Sequence, residues 1–134
     1  MVMWSVETTD DFDEWFAGLG TDERIEVDTK IGLLRAMGPL LKRPHADTLN
    51  GSRYANMKEL RGKTSGSVLR IAFAFDPLKT GILLIGGSKT GVNERMFYKQ
   101  LIAKADRLYE RHVKEVEKRK AELERQKGRG DKNG

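Results

Sequence analysis

The first hydrophobic signal along the chain is an alternation. In VMWSVET, Val2, Trp4 and Val6 fall on one side and Met3, Ser5 and Glu7 on the other, which predicts a strand over residues 2–8. The period then lengthens. Phe12, Trp15, Phe16 and Leu19 recur at helical spacing. Thr9 or Asp10 can cap this helix, and Asp11, Asp13 and Glu14 suit the positive end of its dipole. Gly18 and Gly20 end it. A second helix is predicted from Thr21, with Ile25, Val27, Ile31, Leu34 and Met37 as its apolar stripe and Gly38-Pro39 as its stop. The two helices are expected to form an antiparallel hairpin.

Residues 39–53 read as loop, punctuated by Pro39, Pro44 and Asn50-Gly51. Three strands follow, over Tyr54–Arg61, Ser67–Phe75 and Ile82–Ile85, the last loosening into Gly86-Gly87-Ser88-Lys89. Short turns at 62–66 and 76–81 join them into an antiparallel meander. Leu69, Ile71, Phe73 and Phe75 form the expected buried set of the second strand, which turns Arg70 toward solvent or a partner. From Asn93 the pattern is helical, with Met96, Leu101, Ala105, Leu108, Tyr109, His112, Val113 and Val116 facing the core. Beyond Val116 only Ala121 and Leu123 are apolar, so the segment is expected to be a solvated helix that frays past Gln126. The prediction is an α+β fold: an N-terminal strand and helical hairpin packed on an antiparallel sheet, with a long C-terminal helix. Residues 1–116 form the domain and 117–134 a charged helical extension with a frayed end.

Composition narrows the chemistry. The 134 residues include no cysteine, which excludes a disulfide scaffold, a thiol nucleophile and thiolate metal sites. His45 and His112 are far apart in sequence, which argues against a zinc site. No run approaches the length of a membrane span, and MVMWSVETTDDF lacks the apolar core of a signal peptide, so the expected compartment is the cytoplasm. The net charge of +5 conceals an asymmetry. Residues 1–34 carry 2 basic and 9 acidic side chains, residues 35–70 carry 8 and 2, and residues 95–134 carry 13 and 7. Concentrated positive charge of this kind attracts phosphates, although it also serves plain solubility.

The basic residues gather where the strands are predicted. Adjacent strands bring Lys58, Arg61 and Arg70 together, with Lys63 in the turn between and Lys89 at the end of the third strand. Each alone reads as a solvated surface residue; the cluster reads as a phosphate-binding face. Glu59 is its lone carboxylate. His45 reads as an exposed loop histidine and His112 as a packing residue. LIGGSKTG lacks the spacing of a phosphate-binding P-loop and follows no βαβ unit. The acidic residues 7–14 are explained by helix capping.

The order of elements, with YANMKELR, GSVLRIAFAFDP, ILLIGGSKTG and FYKQLIAKADRLYERH, resembles the RelE superfamily of toxins from type II toxin–antitoxin systems, in its HigB-like, phage-derived branch. The resemblance covers about residues 2–113 and implies a RelE-like fold. It implies an mRNA endonuclease, an enzyme acting without metal or cofactor, usually on the ribosome, and so an inhibitor of translation. It implies a helix-turn-helix, HigA-like antitoxin as partner, alongside mRNA and the ribosome, and no membrane. The alternatives are a ParE-type toxin, which shares the fold but binds gyrase without nuclease activity, and a module whose cations only bind RNA or an antitoxin. Carried over by residue, Arg61 and Arg70 match the two family arginines, Lys89 the basic strand end and Tyr98 the aromatic hydroxyl. These four, with Glu59, are the candidate catalytic residues; Lys58, Lys63 and Lys99 are candidate RNA contacts. Metal-free RNA cleavage uses the 2′-hydroxyl as nucleophile, and arginine suits the charge that builds on the phosphate. Proton transfer falls to Glu59, Tyr98 or a lysine of depressed pKa.

Overall fold

The computed structural model describes residues 3–133; Val2 of the expected first strand lies outside them, and of residues 129–133 it describes the backbone alone. Strand β1 (Val6–Thr8) leads into helices α1 (Asp10–Ala17) and α2 (Thr21–Met37). A 3-10 turn at Gly38–Leu40 precedes β2 (Ala46–Thr48), β3 (Lys58–Lys63), β4 (Val68–Phe75), β5 (Gly81–Ser88) and the long α3 (Glu94–Asn133). The strands form one sheet in the order β1-β5-β4-β3-β2. β1 runs parallel to β5, and every other pairing is antiparallel.

Local chemistry sets the boundaries. The Thr9 hydroxyl accepts from the Phe12 amide at 3.0 Å and so caps α1. Glu23 Oε1 accepts from the Gly20 amide at 3.1 Å at the start of α2. Gly38 ends α2 at φ +57, and the Trp4 indole fills the space a Cβ would occupy there. The β4–β5 turn is held by Asp76, whose Oδ1 accepts from the Leu78 and Thr80 amides at 2.8 and 3.0 Å.

The sheet is covered on both faces. On one, Leu60, Leu69, Ile71, Phe73 and Leu83 pack with Phe12, Val27 and Leu34 of the helical hairpin. On the other, Ala72, Ala74, Ile82 and Leu84 pack with Leu101, Ala105, Leu108 and Tyr109 of α3. Large side chains on one side of β4 and alanines on the other let α3 lie close against the sheet. Gly86 of β5 works likewise on the α1 side: the Trp15 ring occupies the place of its absent Cβ.

This two-sided burial corrects the expectation for Arg70. It lies in phase with Ala72 and Ala74 on the α3 side and is 6% exposed, so it does not face solvent. Other boundaries shift as well. The first strand shortens to Val6–Thr8, and β3 begins at Lys58 because Tyr54 turns to pack edge-to-face with Tyr109 and the Asn56 amide donates to the Phe75 carbonyl. Strand β2 arises inside the expected loop, where Ala46 pairs with Leu60. On α2, Val27 and Leu34 are buried while Ile25 and Met37 are exposed, and on α3 Met96 is exposed. The α3 backbone is helical through Asn133, past the Gln126 at which fraying was expected. No helix among the described residues is long and apolar enough to cross a membrane.

Candidate functional site

A cleft of about 450 Å³ opens beside the sheet, lined in part by Glu59, Arg61, Lys89 and Tyr98. Strand pleat creates it. Glu59 and Arg61 of β3 alternate with Leu60, which is sunk in the helical-hairpin core, so both project to the α3 side. Arg61 lies directly opposite Arg70 in the β3–β4 register. Lys89 follows β5, held by its amide donating to the Val68 carbonyl at 2.9 Å. Tyr98 lies near the start of α3, which crosses above.

Glu59 is the hub. Its side chain is 5% exposed. Oε1 accepts from the Tyr98 hydroxyl at 2.8 Å and lies 3.7 Å from Arg70 Nε, and Oε2 accepts from Arg61 Nη1 at 3.0 Å. Arg70 Nε donates to the Tyr98 oxygen at 3.2 Å, and its Nη1 to the Leu69 carbonyl at 2.9 Å. A buried carboxylate is costly unless paired and hydrogen-bonded, and here two guanidinium groups and a phenol meet that need. The network holds both arginines and the tyrosine in one geometry. Burial, then the hydrogen bond to Glu59, pushes the Tyr98 phenol above its ordinary pKa, against the opposing pull of Arg70. Tyr98 is therefore a protonated hydroxyl at neutral pH.

Lys89 lies beside Tyr98 in the cleft lining, its ammonium 5.3 Å from the Tyr98 ring centroid. It donates to Glu94 Oε1 at 2.7 Å, and this bond holds the Glu94 carboxyl below its ordinary range. Arg43 pairs in the same way with Asp47 at 2.7 Å and lowers its pKa. Each cation lining the cleft is thus matched to a carboxylate. The Glu94 side chain is 69% exposed and the Arg43 side chain 72%, so an entering phosphate can displace these pairs cheaply.

The five candidate catalytic residues, Glu59, Arg61, Arg70, Lys89 and Tyr98, come together here. The candidate RNA contacts do not. Lys58 projects to the opposite face, where its ammonium donates to the Pro39 carbonyl at 3.4 Å. Lys63 ends β3 beside a second cleft, and Lys99 is exposed on α3 outside the lining of the first. Sequence reasoning missed Arg43, Asp47 and Glu94. Arg43 and Asp47 lie in the segment read as loop, and the signal available for them was its basic run KRPH beside a short β-capable stretch. His112 is more than a packing residue: its Nε2 is 2.8 Å from Asp76 Oδ2, tying α3 to the β4–β5 turn away from the cleft. Among the described residues no group of three His, Asp or Glu side chains is arranged to hold a metal ion.

Comparison with known proteins supports the architecture. The family model for phage-derived Gp49-like proteins matches residues 14–110. A Mycobacterium tuberculosis protein carrying the toxin name HigB3 is 45% identical over 94 residues, which span 70% of this chain and 80% of that protein. A second from the same organism, carrying the toxin name HigB2, is 38% identical over 114 residues, 84% of this chain and 56% of that protein. A solved structure of an E. coli RelE toxin mutant in the free state matches with a TM-score of 0.56 at 12% identity, covering 77% of this chain and 97% of that one. That likeness shows a RelE-like fold.

Proposed function

The chain belongs to the phage-derived Gp49-like family, in the HigB-like branch of the RelE superfamily, and we propose from that premise that it is the toxin of a toxin–antitoxin pair that cleaves mRNA. The cognate partner is an antitoxin, of helix-turn-helix type in this reading. The substrate is message on the ribosome, the reaction proceeds without metal or cofactor, and the compartment is the cytoplasm. Residues 1–116 carry this activity, and residues 117–134 are an appendage to it.

One observation carries the reading: the Tyr98 hydroxyl is bonded at once to Glu59 and Arg70 beside a cleft that also holds Arg61 and Lys89. These groups meet the demands of transesterification by the 2′-hydroxyl. Arg61 pairs with the phosphate oxygens and stabilises the charge that builds there, a contribution worth about 10²–10³ in rate for one such contact. In-line attack puts the entering 2′-oxygen and the departing 5′-oxygen on opposite sides of phosphorus, so one group cannot serve both. On one side the 2′-hydroxyl proton passes to the Tyr98 oxygen as the Tyr98 proton passes to Glu59. On the other, the Lys89 ammonium gives its proton to the 5′-oxygen as the P–O bond breaks, leaving a 2′,3′-cyclic phosphate and a 5′-hydroxyl. Arg70, buried behind Tyr98, orients the phenol and balances Glu59.

The test is a reconstituted translation reaction with purified protein. Cleavage of a translated message, with a cyclic phosphate at the new 3′ end, supports the reading. Intact message together with inhibited gyrase supercoiling overturns it in favour of a ParE-type toxin. Intact message with RNA or antitoxin binding alone reduces the protein to a binding module.

A further inference from the structure

A second cleft, of about 400 Å³, lies on the α2 side of Arg61. Its lining includes Lys30, Pro44, Arg61, Lys63 and Arg70, and the only carboxylate among its lining residues is Glu26. Arg61 lines both clefts. We propose that this second cleft is a subsite for the next phosphate of a single-stranded RNA, with Lys30 and Lys63 as its cationic contacts and Arg61 between the two phosphates. The proposal rests on the ribonuclease reading of the first cleft and extends it to a multi-phosphate path.

Lys30 is the built element. It is half-buried on α2, and its ammonium lies 2.8 Å from His45 Nδ1. An ammonium group has donors and no acceptor, so it donates to that ring nitrogen. Among the described residues His45 is its hydrogen-bond partner, and no carboxylate lies within ion-pairing distance of it. That differs from the first cleft, where each lining cation has a carboxylate. His45 is fixed in turn, since its carbonyl accepts from the Arg61 amide at 2.8 Å. Lys30 is thereby tied to the strand that carries Arg61. Glu26 is occupied, its Oε2 accepting from the Lys63 amide at 2.7 Å. Arg61 and Lys63 project from the same side of β3, two residues and so about 6.6 Å apart, a spacing on the scale of successive phosphates in an extended strand. A folded phosphate cluster or a mononucleotide would use one cleft; an extended RNA strand uses both.

The test compares 2′-O-methyl RNA oligonucleotides, which bind but cannot be cut, by NMR shift titration over a series of salt concentrations. The wild-type protein is expected to bind a tetranucleotide more tightly and with a steeper salt dependence than a dinucleotide, which has a single phosphate. Lys30→Ala is expected to weaken tetranucleotide binding about twofold to fivefold and to reduce its log–log salt slope by about 0.7, with dinucleotide binding unchanged. Lys30→Arg, which keeps the charge, is expected to retain the slope. Equal loss for both oligonucleotides, or an unchanged tetranucleotide slope in a folded Lys30→Ala protein, overturns the subsite. A wild-type protein that cleaves message but gains nothing from added phosphates overturns the subsite alone. A protein that neither cleaves message nor binds either oligonucleotide overturns the ribonuclease reading as well.

Discussion

The Tyr98 hydroxyl donates to Glu59 Oε1 at 2.8 Å, joining α3 to β3 across 39 positions of sequence. Neither residue achieves much alone. Glu59 is too buried to meet solvent freely, and Tyr98 without a carboxylate has nowhere to send a proton. Together they form a polar conduit from the cleft into the sheet, steadied by Arg61 and Arg70.

That bond has a titration signature. Burial and Glu59 raise the Tyr98 pKa, so the phenol ionises at higher pH in the folded chain than in the unfolded one. A raised folded-state pKa gives stability that is fully present below the unfolded value and is lost as pH rises through the folded value. Difference absorbance at the phenolate band is expected to place Tyr98 above the ordinary tyrosine range, and Glu59→Gln to bring it down. An ordinary Tyr98 titration in the wild-type protein would refute the assigned geometry.

Arg70→Ala is expected to damage the fold as well as the activity. The side chain is 7% exposed and touches Glu59, Tyr98 and the Leu69 carbonyl. Its removal leaves a cavity and strips a buried carboxylate of one partner, a loss of about 3–5 kcal/mol. In a domain of this size that lowers Tm by on the order of 10 °C. Thermal unfolding followed by circular dichroism measures it, and an unchanged Tm would show that Arg70 is dispensable to the network.

Deleting residues 117–134 is expected to leave Tm within a few degrees of the full chain. Val116 is fully buried, but residues 117–128 are exposed apart from a half-buried Lys120. The extension therefore buries little apolar surface to offset the entropy of ordering it. A large loss of stability in the truncated protein would mean that the extension packs on the domain.

Much of this fold is legible in the sequence because period and punctuation agree: both N-terminal helices and the β3–β5 meander follow from them. What escapes follows from long-range packing. Leu69, Ile71, Phe73 and Phe75 mark one buried face of β4, but the other is built from Ala72 and Ala74, whose smallness signals burial only once α3 is known to lie there. Arg70 inherits that error. Ile25 and Val27, two residues apart, lie on nearly opposite faces of α2, and only the position of the sheet decides for Val27. β1 pairs in parallel with β5, far along the chain, and no local pattern announces such a partner. In the candidate site, Arg61, Arg70, Lys89 and Glu59 are legible as a charged cluster on the predicted strands, and Tyr98 through the family resemblance. Arg43, Asp47 and Glu94 stayed hidden because ion pairs between exposed side chains leave no periodic trace. Lys58 falls on the other face of β3 because strand alternation separates it from Glu59.

The most direct measurement is the mapping of transcript 5′ ends after a brief pulse of expression, with the wild-type chain and with Tyr98→Phe. The predicted result is codon-phased new ends within translated messages for the wild type, falling by about 10²–10⁴ in rate for a Tyr98→Phe protein that remains folded. Wild-type cutting by the folded variant, or intact messages under the wild-type chain, would contradict the account.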